Sequence, residues 1–246
     1  MRVRHIVNAL LGLTLTNAKL IMLIRHGEKI DDDHTDLSPQ GQARADCLID
    51  VFGPNGFLTT PQKIYAQRPT EQRKSTRPRD TVTPLANSLG LEVDLTYTSG
   101  KNEKLAEYIY GSPEEVILVC WGNDRIPNIA QTLGISGAPE WKGKVFDDIW
   151  IITDDQTPFT NSNVQPYATY QGDYGLNMYV VKENVDQCMN NRLGISNNND
   201  SNLNGNNSLM NNNSTNTQDN SSGAEMVKVS TVAFATILST LLYFVL

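Results

Sequence analysis

The sequence predicts an α/β domain, a three-layer fold with a mostly parallel sheet and helices on both faces. Two observations carry that prediction. Short, continuous apolar runs at Leu20–Ile24, Val116–Cys120 and within Asp148–Thr153 have the length and content of strands buried on both sides. The segments between them repeat their apolar residues at helical spacing and stop at glycine, and strands alternating with helices build a sheet covered above and below.

In order along the chain, the first strand runs from Lys19 to Ile24 and opens into Arg25-His26-Gly27-Glu28. Gln42 to Phe52 reads as a helix through Ala43, Cys47, Leu48 and Val51, stopped by Gly53-Pro-Asn-Gly56. Lys63–Ala66 is a second strand, followed by an arginine-rich polar loop and a helix through Val82, Leu85, Ala86 and Leu89 that ends at Gly90. A helix near Glu103–Tyr110, the strand at Val116, a helix over Arg125–Leu133 closed by Gly134, and the strand Asp148–Thr153 complete the reading. In open α/β sheets ligands sit beyond the carboxyl ends of the strands. That rule points to Arg25–Glu28 and to Cys120–Arg125.

The chain of 246 residues carries 20 basic and 27 acidic residues, a net charge of −7, which disfavours a broad basic surface for nucleic acid. An anionic ligand must be held by a few focused arginines. Three cysteines, Cys47, Cys120 and Cys188, allow at most one disulfide and leave an odd thiol. With only His5, His26 and His34, a multi-histidine metal site is strongly disfavoured, and the reading calls for no metal or cofactor.

Both ends are set apart. Residues 1–18 place Arg2, Arg4 and His5 before the apolar run Ile6–Leu15 and small residues near Ala18, which reads as a secretory signal peptide, with a buried first element as the alternative. Residues 19–196 form the domain, and residues 197–222 a polar stalk: from Asn197 to Asn220, 12 of 24 residues are Asn, too few apolar groups to offset the entropy of ordering. Five glycosylation triplets begin there, at Asn199, Asn206, Asn212, Asn213 and Asn220, and the segment Lys19–Ser196 has none. Residues 223–246 end in the uncharged run Val229–Leu246, which reads as a GPI-attachment signal or a tail anchor. The expected protein is therefore a glycosylated, membrane-tethered cell-surface protein that meets the membrane through this end alone. Residues 19–222 keep 17 basic and 26 acidic residues, a net −9.

Leu23-Ile-Arg-His-Gly-Glu28, Leu37-Ser-Pro-Gln-Gly41 with Arg44-Ala45, Ile64-Tyr-Ala66, Arg77-Pro-Arg-Asp-Thr81 and the segment Val116–Gly134 together resemble the histidine phosphatase superfamily, the phosphoglycerate mutase-like proteins, and their fungal-type secreted members in particular. The resemblance implies that fold, with His26 as nucleophile and Arg25 and Arg77 clamping the phosphoryl oxygens. Arg77 is chosen because the family's arginine stands four residues before the threonine, here Thr81; Pro78 and Asp80 depart from its pattern. Relatives carry a second pocket histidine after the next apolar strand, and the corresponding position in Val119-Cys-Trp-Gly-Asn-Asp-Arg125 is Asn123. An amide donates a hydrogen bond but brings no positive charge, so phosphoryl stabilisation is weaker. Asp124 and Glu103 are the candidate proton donors, with Glu107 beside Glu103 and Glu28 as a loop brace. His34, Arg73, Lys74 and Arg79 read as surface or loop residues.

Chemically, a neutral imidazole can attack phosphorus and split hydrolysis into two easier steps, provided guanidinium groups hold the phosphoryl in line and balance its charge. Two functions follow: a phosphomonoester hydrolase acting through a phospho-histidine at His26 and weakened by Asn123, or an impaired pseudo-phosphatase that binds a phosphorylated ligand or has a structural role at the cell surface. Either takes a small phosphorylated molecule as its partner.

Overall fold

A computed structural model describes residues 19–154, 159 and 164–195. The expected signal peptide, stalk and anchor at 1–18, 197–222 and 223–246 lie outside the described residues. Among those described, no helix is long and apolar enough to cross a membrane.

The elements are β1 (Leu20–Arg25), α1 (Pro39–Phe52), β2 (Lys63–Ala66), α2 (Arg77–Leu89), β3 (Val93–Asp94), α3 (Asn102–Gly111), β4 (Val116–Trp121), α4 (Ile126–Thr132), β5 (Asp148–Thr153), β6 (Ala168–Gln171), β7 (Asn177–Lys182) and α5 (Asp186–Arg192). The seven strands form one sheet in the order β3-β2-β4-β1-β5-β7-β6. β3, β2, β4 and β1 pair in parallel, and β5, β7 and β6 continue the sheet in antiparallel pairings. Only β5 and β6 therefore run against the other five, and the sheet is mostly parallel, as expected.

The continuous apolar strands are explained by two cores. Leu20, Met22 and Ile24 of β1 face one side with Leu48 and Val51 of α1, Val82 and Leu85 of α2 and Met189 of α5. Ile21 and Leu23 face the other with Leu105 and Ile109 of α3 and Ile126 and Ile129 of α4. A central strand covered on both faces has no polar position to alternate with. Burying such a side chain contributes about 1.5–3 kcal/mol, so this double covering fixes where β1 and β4 end, and with them the site.

The helix ends follow local chemistry. α1 begins at Pro39, three residues before the Gln42 that the apolar spacing predicts. Ser38 Oγ accepts the Gly41 N–H at 3.1 Å, and proline suits the first helical position because its missing N–H has no partner there in any case. α2 stops at Gly90, whose φ of 66° is left-handed and open to glycine without strain. A disulfide joins Cys47 on α1 to Cys188 on α5, and Cys120 is the buried free thiol. Three cysteines alone allow one bridge and one odd thiol and do not choose the pair.

Candidate active site

Three strand ends make the floor of a cleft of about 490 Å³. β4 lies between β2 and β1, and both neighbours hang from it after the strands end: the His26 N–H donates to the Trp121 carbonyl at 3.1 Å, and the Gln67 N–H to that of Cys120 at 3.1 Å. His26, Gln67 and the turn Gly122-Asn123-Asp124 thus line the cleft together. Arg77, at the start of α2, lines it too, and Asp32, Asp33, His34, Glu71, Arg73, Lys74 and Ser75 form its walls.

His26 is 8% exposed. Its Nδ1 lies 2.7 Å from the Gly27 carbonyl; a carbonyl only accepts, so Nδ1 carries the proton and Nε2 keeps its lone pair. Burial lowers its pKa to about 4, against the partial support of that hydrogen bond, with Arg77, Arg25 and Lys29 lowering it further. The ring is neutral through the physiological range, as a nitrogen nucleophile requires.

The loop beneath it is held from two sides. The Gly27 N–H donates to Thr81 Oγ1 at 2.9 Å, and Thr81 donates in turn to the Arg77 carbonyl at 2.7 Å. Glycine is required at the other contact: a Cβ on Gly41 would lie 2.4 Å from the Glu28 carbonyl oxygen, and one on Gly27 would lie 2.9 Å from that of Gly41. The first turn of α1 therefore packs backbone to backbone against the loop. Glu28 receives Nε and Nη2 of Arg44, and Arg44 Nη1 reaches Glu183 at 2.5 Å. Glu28 is thereby bound as a brace. Glu183 is fully buried, and burial lifts its carboxyl to about 7 even beside Arg44.

The remaining predicted residues divide. Arg77 faces the cleft and steadies the opposite wall by donating Nη1 to the His34 carbonyl at 2.7 Å. Asn123 and Asp124 line the cleft, and Asp124 pairs with Arg73 at 3.0 Å. Arg25 is not among the lining residues: its Nη1 donates to the Gly143 and Val145 carbonyls, its guanidinium stacks 3.7 Å from the Phe146 ring centroid, and its buried Nε has no hydrogen-bond partner among the described residues. Burial brings its pKa down to about 10. The arrangement makes Arg25 the anchor of the 143–146 loop. Glu103 stands apart, exposed in the first turn of α3 beside a separate hollow with Asn128 and Thr132. Glu107 pairs with Lys104 at 3.0 Å.

His34 and Arg73 are exposed, as expected of surface residues, yet both line the cleft. Gln67 was missed, although the rule that led to Arg25–Glu28 and Cys120–Arg125 applies equally to the end of Lys63–Ala66. Among the described residues no group of three or more His, Cys, Asp or Glu side chains is placed to hold a metal ion.

No family profile and no curated protein matches this chain. Among solved structures, the chain is similar to that of "Putative Phosphohistidine Phosphatase SixA" from Nakamurella multipartitia. The two are 15% identical over 55% of this chain and 84% of that one, with a TM-score of 0.37. A likeness this loose says nothing of the chemistry here.

Proposed function

We propose that the protein is a phosphomonoester hydrolase that works through a phospho-histidine at His26. The observation that supports this most is the state of that ring: buried at a strand's carboxyl end, neutral, its Nδ1 proton held by Gly27 and its Nε2 left free beside a cleft that Arg77 also lines. In the first step Nε2 forms a bond to phosphorus as the ester P–O bond breaks, and the leaving oxygen takes a proton from Asp124, the one predicted acid that lines the cleft. In the second, water attacks the phosphorus with Asp124 as base, the P–N bond breaks and phosphate departs. Arg77 and Asn123 hold the phosphoryl oxygens.

The second reading is a pocket that binds a phosphorylated ligand with little turnover. It is favoured by the engagement of Arg25 with loop carbonyls, by Asn123 where the resemblance implies a histidine, and by the Arg73 pairing of Asp124. In both readings the protein is secreted and tethered at the cell surface by its carboxyl-terminal end. The Cys47–Cys188 bond fits that address, since disulfides persist in oxidising compartments.

The test is hydrolysis of an aryl phosphate by the purified protein and by His26→Ala. Turnover lost in the variant, with acid-labile phosphate on His26 in rapidly quenched samples of the native protein, supports the first reading. Inert native protein that still binds inorganic phosphate supports the second. Full activity in His26→Ala overturns the phospho-histidine mechanism.

A further inference from the structure

Gln67 is 4% exposed and lines the cleft. Its backbone N–H is tied to β4 through Cys120, and its side-chain Oε1 accepts the Gly122 N–H at 3.3 Å. The second bond settles which way the amide points: a backbone N–H needs an acceptor, so oxygen faces Gly122 and Nε2 is the other group. Gln67 Nε2 donates to no protein atom among the described residues. Little of the side chain reaches solvent, and its free N–H groups open on the cleft, where an anion's oxygen can take the place of water as their acceptor.

The cleft's charge makes that donor useful. Arg73 is engaged by Asp124, Arg77 spends one nitrogen on His34, and Asp32, Asp33 and Glu71 add negative charge to the walls. Besides the exposed Lys74 on the wall and the remaining nitrogens of Arg77, a tetrahedral dianion entering here finds few uncommitted cations. Neutral, preorganised N–H donors on the floor must share in holding it, and they do so strongly where water is excluded.

We propose that Gln67 Nε2 donates directly to an oxygen of the phosphoryl group, with Asn123 as its counterpart from β4. This rests on the reading that the cleft takes a phosphoryl group. Gln67 then both fixes the Gly122-Asn123 turn, through Oε1, and binds the anion, through Nε2. The two roles sit on the two ends of one amide, so substitutions can separate them.

The test uses sulfate, a tetrahedral anion that stays doubly charged from mildly acid to alkaline solution, with binding to the full protein followed by calorimetry. Gln67→Met can neither donate nor accept, and should weaken binding at least about tenfold at every pH. Gln67→Glu keeps an acceptor for Gly122. Burial and the nearby anion raise its carboxyl's pKa, so the variant has an O–H donor in acid and none in alkali. It should bind within about threefold of the native protein near pH 5 and lose at least about tenfold as it ionises. Native protein measured at each pH controls for every group other than residue 67, and His26 at about 4 stays neutral throughout. Thermal midpoints confirm that each variant is folded. Native-like binding in both variants overturns the proposal, and so does weakened binding in Gln67→Met with native-like binding in Gln67→Glu at every pH, which would place the whole effect in the Gly122 turn. If native protein binds neither sulfate nor phosphate, the phosphoryl reading falls and takes the proposal with it.

Discussion

The Gly27 N–H donates to Thr81 Oγ1 across 2.9 Å, joining the loop that carries His26 to the second turn of α2. Thr81 is wholly buried and donates its hydroxyl to the backbone carbonyl of Arg77, four residues back. One hydroxyl therefore registers the loop of the proposed nucleophile against the residue proposed to hold its target, and the spacing from Arg77 to Thr81 is that of one helical turn.

Thr81→Val keeps the shape and removes both bonds. The Gly27 N–H is left buried without an acceptor, and the expected loss is about 1–3 kcal/mol of folding stability. If the protein turns over phosphomonoesters, the rate should fall by more than the loss of folded protein explains. Denaturant titration beside the aryl phosphate assay checks both; an unchanged midpoint would show that the bond carries no weight.

Asn123→His places an imidazole on the turn after β4. Should the lack of a cation at this position limit the native protein, turnover should rise at least about tenfold, which is about 1.4 kcal/mol of barrier. A variant that stays inert while phosphate still binds would favour the pseudo-enzyme reading. Native turnover as fast as an ordinary phosphatase would show that Asn123 is no handicap.

His26 sets a pH dependence whose sign is determined by its burial. The folded ring protonates near 4 and an ordinary imidazole near 6.5, so between these values the unfolded chain binds more protons. Its contribution should thus destabilise the fold as pH drops from 6.5 to 4, by up to about 3 kcal/mol, and no further below that. Denaturant midpoints of native protein and His26→Asn across this window should diverge accordingly, with the variant showing the shallower slope. A phosphatase built on this ring should also keep its nucleophile at pH values where an exposed histidine has already been protonated.

Reduction of Cys47–Cys188 closes the count of thiols and tests the fold. Denatured without reductant, the chain should expose one reactive thiol, Cys120, and with reductant all three. The bond joins residues 141 apart, and its loss should cost about 2–5 kcal/mol in the denaturant midpoint. Three free thiols in protein isolated under oxidising conditions would contradict the pairing.

The elements nearest the site were legible because they are the most buried. Leu20–Ile24 and Val116–Cys120 stand in the middle of the sheet with helices on both sides, so the sequence had no choice of residue there and its signal is continuous. β6 is different. It is an edge strand, and its Ala168–Gln171 alternates between partly buried and exposed positions, a pattern too short and too mixed to announce itself. The antiparallel direction of β5 was also invisible, since an apolar run carries no orientation.

At the site, His26, Arg77, Asn123 and Asp124 were found from local pattern and converge on one cleft. Arg25 and Glu103 were named from the same pattern, but a side chain's direction depends on what the fold offers it. Arg25 meets the carbonyls and the ring of the 143–146 loop, and α3 places Glu103 beside another hollow. Gln67 and Thr81 act through contacts across 55 and 54 residues of chain, which no local spacing records.

The disulfide also has a mechanical consequence. α5 ends at Arg192 and contributes only Met189 to the buried interior, so by itself it would peel readily from the sheet under tension. A pull entering from beyond residue 195 reaches Cys188 within about two helical turns, and there the load crosses a covalent link to α1, whose Leu48, Val51 and Phe52 are wholly buried. Peeling is arrested at residue 188, and β7 behind it is spared from being drawn out of the sheet one hydrogen bond at a time.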